Sequence, residues 1–180
     1  MDKIAKQRLN VVILVDCSKS MQGERIAQVN SALRDIKTHL VDMQNENANV
    51  DFHITVITFS TDAYFLNGDR SKEIENFNFK DIKGGGWSNL HIAYQRLEEI
   101  LKKESKGGIM PDFGGVAPIL LLMTDGHPTK YPLKEEMKAL KIFKGANHRF
   151  ATLGHDPVLG LIFGTTNILT NTITCTKAPI

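Results

Sequence analysis

Apolar residues recur along this chain in two rhythms. Val11-Val12-Ile13-Leu14-Val15 and Ile119-Leu120-Leu121-Leu122-Met123 are near-continuous apolar runs, the pattern of strands buried on both faces of a parallel sheet. Over residues 24–43 the spacing changes. Ile26, Val29, Leu33, Ile36 and Leu40 recur at steps of three and four, which gathers them on one face of a helix and reads as core packing. The Asn-rich stretch 44–49 breaks that pattern and returns the chain to a second strand over residues 51–59. Ser60-Thr61-Asp62 then turns it into a short antiparallel edge strand near residues 63–66. Residues 67–87 are expected to hold a short helix and then a glycine-rich loop. Leu90, Ala93, Tyr94, Leu97 and Leu101 mark the next amphipathic helix, and the Gly- and Pro-rich residues 107–118 read as a surface loop. A further helix is expected over 133–143, with Leu133, Met137 and Leu140 inward, and a further strand over 149–154. Residues 155–180 carry no convincing helical stripe, and their Thr- and Asn-rich part looks more like strand and turn.

Alternating strands and helices with buried apolar strands predict a three-layer α/β/α sandwich around a mainly parallel sheet, with one short antiparallel edge strand. The 180 residues suit a single domain spanning 1–180. Composition, 42% hydrophobic and 23% charged, excludes a disordered chain. No apolar run reaches membrane-spanning length. A formal charge of +2 with dispersed basic residues gives no footprint for nucleic acid. The one basic cluster, Lys102-Lys103-Glu104-Ser105-Lys106, reads as a solvated helix end. Cys17 and Cys175 stand far apart in sequence, which argues against a disulfide framework or structural zinc. Together with the polar N-terminal residues, this leads us to expect a cytoplasmic protein.

The first buried strand ends in Asp16-Cys17-Ser18-Lys19-Ser20, directly before the long helix. One carboxylate and two hydroxyls at a strand's C-terminal edge form an oxygen-only donor set of the kind that suits a small hard cation. The same residue types also cap helices and make turns. Two further segments add to this one. Gly84-Gly85-Gly86-Trp87-Ser88-Asn89-Leu90 brings a hydroxyl to the start of the second helix, and the strand at 119–123 runs into Thr124-Asp125-Gly126. These clusters meet if the two strands are parallel neighbours. The glycines lack the Gly-Lys-Ser/Thr of a phosphate loop and serve instead to turn the backbone tightly before Ser88.

This ordered set resembles the von Willebrand factor A family, whose metal-ion-dependent adhesion site combines Asp-x-Ser-x-Ser, a separate Thr and an Asp in a Thr-Asp-Gly turn. The matching positions are Asp16, Ser18, Ser20, Ser88 and Asp125, and the resemblance covers roughly residues 8–155. Thr124-Asp125-Gly126-His127-Pro128-Thr129 is further similar to the turn of bacterial tellurium-resistance members. Three departures stand out: Lys19 where the family usually has Gly, Trp87 where Gly often precedes the Thr, and Ser88 for the Thr itself. The resemblance implies a Rossmann-like strand order and Mg²⁺ or Mn²⁺ held by Ser18, Ser20 and Ser88, with Asp16 and Asp125 acting through water. A Glu or Asp carboxylate from a protein partner would be the sixth ligand, in a bacterial stress-response setting.

Three functions follow as alternatives. The first is a metal-dependent docking module without enzymatic activity. The second is a Mg²⁺-dependent hydrolase or phosphoryl-transfer enzyme using Asp16 or Ser20 as nucleophile and His127 or His155 as base. Against it, position 18 is Ser rather than a second Asp, and no Gly-x-Ser-x-Gly elbow occurs. The third is a scaffold that recognises its partner without metal, which Lys19 and Trp87 would favour.

Overall fold

The computed structural model describes residues 6–113 and 115–125, together with the backbone of residues 160–164. Strand β1 (Gln7–Asp16) leads through a single 3₁₀ turn at Lys19–Met21 into helix α1 (Glu24–Glu46). Strands β2 (Val50–Phe59), β3 (Ala63–Phe65) and β4 (Lys72–Glu73) follow, then helix α2 (Leu90–Ile100), β5 (Ile119–Thr124) and β6 (Gly160–Gly164). The sheet order is β3-β2-β1-β5-β6, with β4 also paired to β2. β1 lies parallel to both β2 and β5, whereas β3 and β4 on one side and β6 on the other run antiparallel to their neighbours. The antiparallel pairing expected at one edge is thus present at both. The expected helix over 133–143 and strand over 149–154 lie outside the described residues.

Strand alternation sorts the central residues onto two cores. Val11, Ile13 and Val15 of β1 pack with Ile26, Val29 and Leu33 of α1, while Val12 and Leu14 pack with Ala93, Leu97 and Ile100 of α2. Burial of both faces explains why β1 is apolar at every position from Val11 to Val15. Two helices on opposite faces of one sheet make the three layers.

Several element bounds depart from the sequence reading for tertiary reasons. α1 runs a turn beyond residue 43 because Gln44 is buried and tied at both ends of its amide: Oε1 accepts the Phe52 N–H at 2.7 Å and Nε2 donates to Glu75 at 2.8 Å. β1 starts four residues before its apolar run because all ten of its residues register with β2. The short helix expected within 67–87 is instead two 3₁₀ turns, at Leu66–Gly68 and Ile74–Asn76, on either side of the two-residue β4. The basic cluster at 102–106 follows α2 in a turn rather than closing the helix.

Candidate functional site

The C-terminal ends of β1 and β5 lie side by side, with Val15 in register with Met123. Asp16 and Thr124 therefore meet at one edge of the sheet. Asp16 is fully buried and its carboxylate gathers three donors from three segments. Oδ1 accepts the Ser18 backbone N–H at 2.9 Å, and Oδ2 accepts the hydroxyls of Ser88 and Thr124, each at 2.8 Å. A buried carboxylate needs such donors to offset its desolvation. This side chain consequently ties the β1 end, the approach to α2 and the β5 end to one point. Ser18 Oγ and Ser20 Oγ are 3.1 Å apart.

The glycine-rich loop is laid against the first loop by backbone bonds. Gly85 N–H donates to Cys17 O at 2.7 Å and Lys19 N–H donates to Gly86 O at 3.0 Å. Gly86 has φ +84°, and a Cβ there would meet Thr61 Oγ1 at 2.7 Å. Both the left-handed backbone and the close approach call for glycine. Thr61 is a participant that sequence reasoning missed: Oγ1 accepts the Trp87 N–H at 3.1 Å and its carbonyl accepts Asn89 Nδ2 at 3.0 Å. The N-cap position of α2 belongs to Asn89, one residue after Ser88. Ser88, 2% exposed, is directed to Asp16.

Asp125 reaches the same edge with a cation beside it. Arg25, near the start of α1, donates from Nη1 to Ser20 O at 2.8 Å and to Asp125 Oδ2 at 3.2 Å. Arg25 and Thr124 join the site without being among the ligand positions that the sequence points to. Thr124 sits inside the quoted Thr-Asp-Gly turn and was visible there, whereas Arg25 has no signal except its place one turn beyond the first loop. Lys19 is exposed, so its stem leads to solvent, and Trp87 is 66% exposed on the same rim. His127 and His155, together with the turn from Gly126 onward, lie outside the described residues.

The donors offered here are oxygens. Burial pushes the Cys17 thiol above its ordinary value; a Ser60 side-chain hydrogen bond opposes that shift and the Asp16 charge adds to it. A protonated thiol, donating to Phe59 O at 3.2 Å, is a poor metal ligand. Adjacent ligands of an octahedral Mg²⁺ at about 2.1 Å lie roughly 3 Å apart. The Ser18–Ser20 separation of 3.1 Å fits two such positions, and a hydroxyl whose proton goes to a carboxylate acts toward a cation as an oxygen donor. The residues present fit a hard divalent cation.

Comparison with known proteins bears on family and fold. Inter-alpha-trypsin inhibitor heavy chain H1 of Sus scrofa is 28% identical over 167 residues, covering 89% of this chain and 17% of its own length. The Homo sapiens H1 chain is 30% identical over 161 residues, covering 86% of this chain and 16% of its own. This chain thus spans about a sixth of the length of those relatives. Among solved structures, the ArnB paralog VWA2 from Sulfolobus acidocaldarius matches 77% of this chain and 33% of its own, at 21% identity and a TM-score of 0.51, a likeness of fold. A model of the von Willebrand factor type A domain matches residues 10–160. Its span takes in most of β1, the whole of β2 to β5, both helices and every residue of the loop edge described above, and the chain belongs to the von Willebrand factor type A domain family.

Proposed function

We propose that this loop edge binds a hard divalent cation, Mg²⁺ or Mn²⁺, and through it docks an acidic residue of a protein partner, without catalysing a reaction. The observation that carries the reading is the network on Asp16, which gathers hydroxyls from Ser88 and Thr124, 72 and 108 residues further along the chain, beside the Ser18 backbone N–H. Ser18, Ser20 and Ser88 supply hydroxyl ligands, and Asp16 and Asp125 hold charge around them. What the cation supplies is a coordination position for an anionic oxygen, since few negative charges of the chain contact it directly. Lys19, exposed beside this position, pairs with the second oxygen of the partner's carboxylate, and Trp87 offers an aromatic contact at the rim.

A metal-free scaffold is the second reading, favoured by one specific observation: Arg25 already places a positive charge on Asp125. Calorimetric titration with Mg²⁺ and Mn²⁺ separates the two. Binding that Ser18→Ala abolishes supports the docking site, and no binding to the native protein supports the scaffold. Retention of a partner in Mg²⁺ but not in chelator tests the second half of the proposal. The finer placement in a bacterial stress-response system of the tellurium-resistance type rests on the 124–129 turn, and the cytoplasmic placement on the two distant cysteines and the polar N-terminal residues; identification of the retained partner tests the former. Among the described residues no helix is long and apolar enough to cross a membrane.

A further inference from the structure

A second group of metal-ligating side chains lies at the opposite end of β2. Asp51 and His53 are two residues apart on the strand, so they share a face, and the antiparallel register sets Glu73 of β4 opposite His53. One ligand atom from each of the three falls within 4.8 Å of the others. His53 Nε2 and Asp51 Oδ2 are 3.1 Å apart. Six residues of β2, at about 3.3 Å each, separate His53 from the loop edge by roughly 20 Å.

We propose that Asp51, His53 and Glu73 form a divalent-metal site of the zinc class, independent of the loop edge. One imidazole nitrogen and two carboxylate oxygens match the borderline character of Zn²⁺ better than that of Mg²⁺. The surroundings orient these groups as an outer shell does. A hydrogen bond of 3.4 Å joins Ser71 Oγ to His53 Nδ1, leaving Nε2 toward Asp51, and Asn76 Nδ2 donates to Glu73 Oε2 at 2.7 Å. Arg8, which the register places beside Asp51, turns its guanidinium to Glu104 instead. Among the described residues Asp51 Oδ2 has His53 Nε2 as its neighbour at 3.1 Å, and neither Asp51 nor Glu73 pairs with a Lys or Arg, so the two carboxylates have one imidazole between them.

A separate observation points to the same place. Asn10 of β1 is 2% exposed, its Oδ1 has no hydrogen-bond partner among the described residues, and its register partner on β2 is His53. Register partners in a parallel pair share a face. Asn10 Nδ2 donates to Ile109 O at 3.4 Å, which leaves Oδ1 as the acceptor that a water on a metal held by the neighbouring His53 would satisfy. Donors of tetrahedral zinc lie roughly 3.4 Å apart, so metal binding would draw the exposed Glu73 carboxylate inward from its present place within 4.8 Å of the other two donors.

The test titrates Zn²⁺ into untagged, chelator-stripped protein in millimolar Mg²⁺, with Co²⁺ as a spectroscopic substitute. The expected result is one zinc equivalent whose affinity falls at least tenfold in both Glu73→Gln and His53→Gln and is unchanged in Ser18→Ala. Glu73 is exposed, so its variant retains the fold, which circular dichroism verifies. Absence of zinc binding to the native protein, or affinity unchanged in both variants, would overturn the proposal and leave His53 as a hydrogen-bond partner of Asp51.

Discussion

Truncating Ser88 to Ala separates its two roles, tether and ligand. Its hydroxyl donates to the fully buried Asp16 carboxylate at 2.8 Å and is itself 2% exposed. A hydrogen bond to a charged acceptor contributes about 1.5–3 kcal/mol. Asp16 keeps the Ser18 N–H and the Thr124 hydroxyl, so the expected loss without metal is near the lower end, about 1.5 kcal/mol. The metal contribution is read separately. At a Mg²⁺ concentration one hundred times Kd, a native-state ligand adds about 2.7 kcal/mol. If losing one ligand weakens binding about a hundredfold, the same concentration adds only about 0.4 kcal/mol. Urea denaturation of native protein, Ser88→Ala and Ser88→Thr, each in chelator and in Mg²⁺, gives both quantities. Threonine keeps the hydroxyl and should keep the Mg²⁺ increment. A full increment in Ser88→Ala would refute the ligand role and leave only the tether, while unchanged stability in chelator would refute the tether.

Further outcomes follow from neighbouring contacts. Arg25→Met removes a cation 3.2 Å from Asp125. Because the guanidinium is over one-third exposed, stability should shift by no more than about 1 kcal/mol while Mg²⁺ affinity rises roughly threefold in calorimetry; weaker Mg²⁺ binding would mean that Arg25 is needed to orient Asp125. Gly86→Ala should cost roughly 1–3 kcal/mol in urea denaturation, since φ is +84° and the added Cβ meets Thr61 Oγ1 at 2.7 Å; native-like stability would contradict that strain. Burial pushes the Tyr94 phenol up to about 12. A pKa raised on folding contributes stability that is present below the unfolded value near 10 and is lost as pH rises through the folded value. Stability should therefore fall between pH 10 and 12, more gently in Tyr94→Phe, and parallel profiles for the two proteins would contradict the assignment.

The candidate ligands were legible because each sits where a local pattern changes. Asp16 follows five apolar residues, Ser88 comes one residue after three glycines, and Asp125 comes one residue after a second apolar run. The α1 stripe was legible in the same way, since Ile26, Val29 and Leu33 are all buried on one face. Periodicity is a property of neighbours along the chain, and these features are local. What holds the site together is not local. Thr124 and Asp16 are joined across 108 residues, and Arg25 and Asp125 across 100, contacts that exist only once β1 and β5 have become neighbours.

By itself, the sequence determined which stretches are buried on one face or two, and which oxygen-bearing side chains stand at strand ends, because burial imposes a repeat that residue types must follow. Only the tertiary structure decided the partners. β4 has two polar residues and no pattern of its own, and forms because β2 offers it an edge. The last turn of α1 persists beyond residue 43 because Gln44 finds Phe52 and Glu75. His53 and Glu73 face one another through a register that neither residue's surroundings encode. Each of these is a pairing between distant segments, whose free energy is realised only after the sheet has brought them together.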